Sequence, residues 1–378
     1  MILKSTVTER NYLTKVVFLV LLLFVLGSCS KDPIREKQTN PPPPSTDTSY
    51  QYGDFVINEG NFTWGNASVT YINPSENAVT QDIFYQANGR DLGDVAAMMK
   101  IHDSLAYLVV NNSNTIEVVK LKDFKSVKTI SGTGLNKPRA IEFVNDFEKA
   151  YVTNLVKDIS VIDLKTNSVY KTIQTPNWTE GMVRYGNYIF FACIGGYNLP
   201  NSERNPQILV VDILQDRIVD SIKTGKEPLG MVMDRKNKIW ILCTGGYDNF
   251  EPPSLLRVDP VLQIVEQTFH FQNSTGTPSR LCINGTGDTL YFLDNGVYQM
   301  PVTSADIPSA AFIPGDGHSF YGLGIHPTTG NIFVSDAVDY VQNGTVYQYN
   351  QNDGSLIRSF EAGKIPGSFC FSVKPSSK

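Results

Sequence analysis

A short apolar segment with an aromatic residue near its start recurs seven times along this chain. The copies are Asp54-Phe55-Val56-Ile57-Asn58, Ala106-Tyr107-Leu108-Val109-Val110, Ala150-Tyr151-Val152-Thr153-Asn154 and Ile189-Phe190-Phe191-Ala192-Cys193, then Ile239-Trp240-Ile241-Leu242-Cys243, Leu290-Tyr291-Phe292-Leu293-Asp294 and Ile332-Phe333-Val334-Ser335-Asp336. The aromatic positions 55, 107, 151, 190, 240, 291 and 333 lie 52, 44, 39, 50, 51 and 42 residues apart. That spacing suits blades of four short strands repeated around an axis. After each copy comes a loop and an alternating strand often ending in Asp or Asn, such as Ser68–Asn73, Ile159–Asp163, Ile208–Asp212 and Leu255–Asp259. A further strand follows, as in Val169–Ile173 and Ile218–Ile222, and another opens after Pro or Gly, as in Pro138–Phe143 and Pro228–Val232. Period-2 alternation bounded by Gly, Pro, Asn and Asp marks strands and turns, and no segment after the N-terminal region has a long helical period.

The phase of the repeat matters as much as its count. The chain enters on the second strand of a blade at Phe55 and ends on a first strand, Pro366-Gly367-Ser368-Phe369-Cys370-Phe371. The last strand can then complete the first blade, which leaves no gap and no open sheet edge. The expected fold is all-β: a seven-bladed β-propeller over residues 51–378 with circular closure by the C-terminal strand. A six-bladed ring with a stray strand is the alternative, because the sixth and seventh units are the least regular.

Ahead of the repeats stands an apolar run, Val16 to Leu26, preceded by Lys4, Arg10 and Lys15 and followed by Gly27-Ser28-Cys29. A basic start, a short apolar core and small residues before a cysteine make a secretory signal of the lipoprotein kind. The run is shorter than the roughly 20 residues a spanning helix needs. Residues 1–28 read as a cleaved signal peptide and Cys29 as the lipidated residue. Residues 29–50, with Pro41 to Pro44 and little apolar content, read as a disordered tether. Ser30-Lys31-Asp32 resembles the charged leader of surface-exported lipoproteins of Bacteroidota, so the expected location is the outer membrane, lipid-anchored and facing outward.

The whole chain carries a formal charge of −5, and removal of residues 1–28 takes it to −7 by deleting Lys4, Arg10, Lys15 and Glu9. An acidic balance argues against nucleic acid or an anionic lipid surface as partner. The expected tie to the membrane is through the lipid alone.

The unit Ala150–Asn154 followed by Ile159–Asp163 resembles the repeat of the YVTN family of "surface layer" propellers. Val56-Ile57-Asn58-Glu59-Gly60-Asn61-Phe62 and Leu92-Gly93-Asp94-Val95 are similar to Bacteroidota surface lipoproteins of that class. Some members sit on TonB-dependent outer-membrane transporters and capture cobalamin (vitamin B12), so the resemblance implies cobalamin as ligand and such a transporter as partner. The repeat alone specifies architecture and no ligand.

Catalytic and metal-binding chemistry is undersupplied. Cys193 and Cys243, and likewise Cys282 and Cys370, occupy equivalent positions in different blades, too far apart for bridges. Free thiols are expected, and no zinc-type Cys/His spacing appears. His102 and His326 fall in first-to-second-strand hairpins, His270 in an outer strand, and only His318 in a loop of the opposite face. Asp336 with Asp339, or Asp91 with Asp94, are carboxylate pairs of the kind a hydrolase uses. Solvated loop acids are the simpler reading, so no enzyme activity, cofactor or metal is expected.

One face is far richer. It bears the loops from second to third strands and from each fourth strand to the next first strand. There the sequence places Phe62 and Trp64 within 58–66 and Trp178 within 175–180. Two related loops follow: Gly195-Gly196-Tyr197-Asn198 running to Pro206, and Gly245-Gly246-Tyr247-Asp248-Asn249-Phe250 running to Pro253. Tyr321 and Tyr340 join from the last blades. Asn111 and Arg139 belong to the same face, as do Asn58, Asn66, Asn112, Asn114, Asn154, Asn198 and Asn249 as donors and acceptors. Loops on a rigid scaffold carry binding groups, and Tyr and Trp combine contact area with a polar tip. A ligand spanning several blades fits this face. Cobalamin, an oligosaccharide and a protein partner are the three candidate occupants.

Overall fold

The computed structural model describes residues 49–195, 206–246, 251–271 and 277–374. Twenty-eight strands form seven four-stranded antiparallel sheets. In the first blade β1 (Gly53–Asn58), β2 (Ser68–Asn73) and β3 (Ala78–Thr80) follow the closing strand β28 (Pro366–Ser372). The second blade runs β4 (Ala96–His102), β5 (Leu105–Val110), β6 (Thr115–Lys120) and β7 (Ser126–Ile130). The third runs β8 (Pro138–Val144), β9 (Lys149–Asn154), β10 (Asp158–Asp163) and β11 (Ser168–Gln174). Blades four and five are β12 (Trp178–Tyr185), β13 (Tyr188–Ile194), β14 (Gln207–Asp212), β15 (Arg217–Lys223), and β16 (Pro228–Met233), β17 (Ile239–Cys243), β18 (Ser254–Asp259), β19 (Ile264–His270). The sixth is β20 (Ser279–Ile283), β21 (Thr289–Leu293), β22 (Gly296–Pro301), β23 (Ile313–Pro314), and the seventh β24 (Phe320–Ile325), β25 (Ile332–Asp336), β26 (Asn343–Tyr349), β27 (Leu356–Lys364).

All seven aromatic-bearing segments are second strands. Each lies between two hydrogen-bonded neighbours and is covered by blades on both sides, so Phe55, Tyr107, Tyr151, Phe190, Trp240, Tyr291 and Phe333 are almost wholly buried. A strand buried on both faces needs apolar side chains throughout, which is why these runs barely alternate. The fourth strands do alternate: β11, β15 and β19 expose most of their residues to water. The cores lie between blades, where β-branched and aromatic side chains of adjacent sheets interdigitate.

Closure follows the phase read from the sequence. β28 pairs antiparallel with β1, from Gly53 opposite Ser372 to Asn58 opposite Pro366. Innermost strands touch their neighbours all the way round, including β24 with β28 and β28 with β4. Phe369 and Phe371 of β28 pack on Phe333 of the seventh blade at centroid distances of 5.8 and 5.3 Å. The sixth blade is irregular only in its outermost strand, the two-residue β23, so the six-bladed alternative is excluded. The one α-helix among the described residues, α1 (Ile83–Asn88), leads from the first blade to the second and buries Ile83 and Phe84. No described helix is long and apolar enough to cross a membrane.

Candidate functional site

The face of interest carries the upper ends of the second strands. Seven innermost strands reach it, and each departs from regular pairing one or two residues after its start. Register shifts fall between Ala96 and Met98, Pro138 and Ile141, Thr179 and Met182, Pro228 and Gly230, Ser279 and Cys282, and Phe320 and Gly322. β28 shifts in the same place, around Gly367. A β-bulge re-aims the extra residue and tightens the local twist, so one device, used seven times, presents Ala97, Arg139, Glu180, Leu229, Arg280, Tyr321 and Gly367 at one level. Two freed backbone amides are caught by hydroxyls of the next strand: Ala140 N–H donates to Thr153 Oγ1 at 3.0 Å and Gly322 N–H to Ser335 Oγ at 2.8 Å.

The polar members of this ring find one another across blades. Arg139 Nε donates to Glu180 Oε2 at 3.0 Å. Arg280 Nη2 lies 3.5 Å from Oε1 of Glu59, which follows β1, and the Tyr321 hydroxyl donates to Glu59 Oε2 at 3.0 Å. Arg280 Nε donates to the Tyr321 carbonyl at 2.9 Å, and its guanidinium lies 4.7 Å from the centre of the Tyr321 ring. Groups from blades three, four, six, seven and one can meet in this way only around the axis. Glu180 foremost, with Glu59 behind it, raises the Arg139 pKa above its usual value. Burial first, and then Glu59, pushes the Tyr321 phenol up to about 12. Gly367 makes room: a Cβ there would stand 2.3 Å from Glu59 Oε1.

Beside this mouth lies an aromatic crest. Phe62 and Trp64 are 64% and 60% exposed, and Tyr340 and Val341 47% and 63%. Tyr340 packs edge-on against Tyr321 with ring centres 5.6 Å apart, which joins crest to mouth. The loop carrying Phe62 and Trp64 is tied down on several sides. Glu59 and Gly60 N–H groups donate to the carbonyls of Ile365 and Lys364, Thr63 N–H donates to the Asp94 carboxylate, and the Asn61 side-chain amide donates to the Tyr340 carbonyl. Asn66 bridges Gly93 of the second blade. Its rings are therefore exposed on a fixed backbone.

Other expected residues divide by position. Trp178 opens β12 at its upper end and is half-buried, so it is a strand residue of this face and not part of a free loop. Asn111, Asn58 and Asn154 are buried and committed to the fold. Asn111 Nδ2 donates to the Pro138 carbonyl at 3.0 Å, Asn58 to the hydroxyls of Ser68 and Thr70, and Asn154 to Asp158 and Ser160. Asn66, Asn112 and Asn114 likewise hold loops. Tyr197, Tyr247, Phe250, Asn198 and Asn249 lie outside the described residues, as do Cys29 and the tether up to residue 48, whereas Tyr50, expected in the tether, is buried and packs edge-on against Tyr71 and Phe124, so the propeller begins before residue 51.

Three of the four acids offered as hydrolase pairs act as loop staples. Asp94 holds Thr63 and Asn112, Asp336 accepts from Val338 N–H and from His318 at 2.8 Å, and Asp339 accepts from Val341 and Gln342. Those two amides hold the Asp339 carboxyl below its usual range. Cys193, Cys243, Cys282 and Cys370 are free. Burial pushes the first up to about 11 and the others up to about 12, which leaves inert thiols. Among the described residues no three His, Cys, Asp or Glu side chains converge as metal ligands. A groove of about 380 Å³ lined by Thr224, Gly225, Glu251, Pro252, Thr268 and His270 lies at the outer rim of the same face, between blades four and five.

Sequence reading found Arg139 and Tyr321 but not Glu180, Glu59 or Arg280.

These features define a closed seven-bladed β-propeller with one elaborated face. The chain belongs to the family described as Domain of unknown function (DUF5074), which it matches over residues 52–366. None of the curated proteins matches it. Among solved structures it is similar to a quinonprotein alcohol dehydrogenase-like protein from Bacteroides thetaiotaomicron, at 14% identity and a TM-score of 0.66 over 86% of this chain and 79% of that one. Kuenenia stuttgartiensis hydrazine synthase aligns at 14% identity and a TM-score of 0.56, covering 72% of this chain and 88% of that one. The computationally designed Ika8 protein aligns at 10% identity and a TM-score of 0.54, covering 85% and 91%. At such identities the likeness is one of fold.

Proposed function

We propose that this chain is a non-enzymatic surface lipoprotein that captures cobalamin and passes it to a TonB-dependent outer-membrane transporter. Cys29 carries the lipid and the segment from there to residue 48 forms the tether in this reading. The observation that carries the capture role is the crest. Phe62, Trp64 and Tyr340 are large, exposed and set on pinned backbone beside a polar axial mouth. Exposed aromatics held in fixed positions give contact area at low entropic cost, and a contiguous apolar patch on a soluble face marks an interaction site. Cobalamin suits such a face because it is large, apolar at its edges and rimmed with amides. The resemblance at Val56–Phe62 and Leu92–Val95 supports that choice over a glycan.

The test is isothermal titration of the full chain with cyanocobalamin and with a glycan panel. Trp64→Ala and Tyr340→Ala should each weaken cyanocobalamin binding by about 1–4 kcal/mol with little change in melting temperature. Leu262→Ala, an exposed residue between β18 and β19 on the opposite face, should leave affinity unchanged. A wild-type protein that binds a glycan and not cyanocobalamin would replace the ligand. Binding to neither, with co-purification of an outer-membrane barrel, would make the face a protein-docking surface.

A further inference from the structure

Five of the seven connections from third to fourth strand turn on one device. An Asp or Asn closing the third strand accepts backbone N–H groups two or three residues on: Asn73 from Ser75, Asp163 from Thr166, Asp212 from Leu214 and Gln215, Asp259 from Val261 and Leu262, and Asn350 from Asn352. The two residues at the tip of each turn face water in every case. They are Ser75-Glu76, Lys165-Thr166 and Asn352-Asp353 in blades one, three and seven, Leu214-Gln215 in blade four and Val261-Leu262 in blade five. The turn itself therefore makes no demand for apolar residues at its tip. Blade five nonetheless has two, 67% and 64% exposed, with Ile264 exposed beside them at the start of β19. The charges flanking this tip are paired with one another, since Lys238 Nζ lies 2.6 Å from Asp259 and 2.7 Å from Glu266. What projects from the lower rim of blade five is an aliphatic point.

We propose that the Val261–Leu262 tip dips into the headgroup and upper acyl region of a zwitterionic lipid bilayer, the one that holds the lipid anchor. The inference rests on the lipoprotein reading above and adds a second point of attachment to it. The tip is aliphatic, whereas the anchors of protein interfaces are enriched in Trp, Tyr and Arg, with Leu and Val under-represented. It stands on a projecting hairpin and not in a groove, which suits a soft partner without fixed shape. It also lies on the face from which the chain leads back to Cys29. Tyr50 N–H donates to the Lys122 carbonyl at the lower end of blade two, and the Tyr50 ring packs against Tyr71 and Phe124. In the tether reading, a flexible chain of about 20 residues spans roughly 25 Å, so the lower face is the one held near the bilayer. Blade five lies across the ring from blades one and two. Tether and tip then hold opposite edges of that face and leave the aromatic crest turned outward. Two or three aliphatic side chains bury far less apolar area than an acyl chain, so the tip adds orientation to the lipid's hold and does not replace it. Because the contact is apolar, the acidic balance of the chain does not oppose it.

The experiment places a polarity-sensitive fluorophore at residue 262 of the full lipidated chain, through Leu262→Cys, on phosphatidylcholine vesicles that carry a nitroxide-labelled lipid. Cys193, Cys243, Cys282 and Cys370 are buried or half-buried with raised pKa values, so the new thiol takes the label. On the vesicles the emission should move to shorter wavelength. Its quenching should exceed by about twofold or more that of the same probe at Trp64→Cys on the opposite face. In a second series the probe sits at Ile264→Cys. There Val261→Ser with Leu262→Ser should remove the quenching and leave the melting temperature unchanged, since both side chains project into water. Intact mass reports whether Cys29 carries lipid. Equal quenching at 262 and 64, or quenching at 264 that survives the double substitution, would overturn the inference and leave the anchor standing. A shift at 262 that follows protein concentration without vesicles would also overturn it, because a second copy would then cover the tip. Protein taken from membranes with no lipid on Cys29 overturns the anchor reading and this inference together.

Discussion

Asp54 is a buried carboxylate at the lower end of β1, only 4% exposed, and burial pushes its pKa up to about 6 against the opposing pull of Arg358. His326 lies beside it, with Nε2 3.6 Å from Asp54 Oδ1. His326 Nδ1 accepts the N–H groups of Thr328 and Thr329, so the ring proton sits on Nε2, and burial lowers the histidine pKa. The two groups bias stability in opposite directions. Asp54 binds a proton more readily in the folded chain than in the unfolded one, so its contribution is fully present below about pH 4 and is lost as pH rises through about 6. His326 resists protonation in the folded chain, so its contribution is present at neutral pH and is lost as pH falls below about 6.5. Asp54→Asn removes the first effect and should stabilise the protein at pH 7 by about 3 kcal/mol, with the gain shrinking towards pH 4. Urea melts of both proteins between pH 4 and 8 measure this. A stability difference that stayed constant across that range would rule out the carboxylate as its cause.

At the scale of elements, legibility followed burial. The second strands were readable because an aromatic on a doubly covered strand has no alternative place, as with Trp240 and Phe333. The first strands were readable as strands but not as bulged strands, since the extra residue falls one or two positions after the strand start, too near the end for the break in alternation to be visible. Arg280 and Glu59 meet only because blades six and one share the axis, and nothing local in either segment foretells it. The asparagines failed for a different reason. Asn58, Asn111 and Asn154 recur at the same place at the ends of second strands, and a polar residue repeated at one blade position serves the blade junction, where buried amides and hydroxyls must be satisfied. Closure gives the element-scale prediction. Removing residues 365–378 takes away all of β28, with Phe369 and Phe371, and should lower stability by several kcal/mol through lost ladder bonds and buried apolar area. A thermal melt reads the outcome, and a full-stability transition would mean that the first blade is completed some other way.

For the molecule as a whole, the proposed reading assigns attachment and recognition to separate parts of the chain. Cys29→Ala should abolish incorporation of a palmitate analogue and release the protein from the membrane fraction, with its circular dichroism spectrum and melting temperature unchanged. Label retained by the variant would remove the lipoprotein assignment. The pairing of Gly53 with Ser372 sets a further condition. The first described strand has to wait for the last before its sheet is complete, so the contact that seals the ring has nearly the largest sequence separation the described residues allow. Such a contact comes late and slowly. While the polypeptide is being made it is at most an open arc, with two bare edges that invite pairing with other chains. Committing to the native state only after the C-terminus has arrived would suit the exported lipoprotein proposed above, which would cross a membrane as an unfolded thread. It also makes any premature stop an aggregation hazard, however many blades precede it.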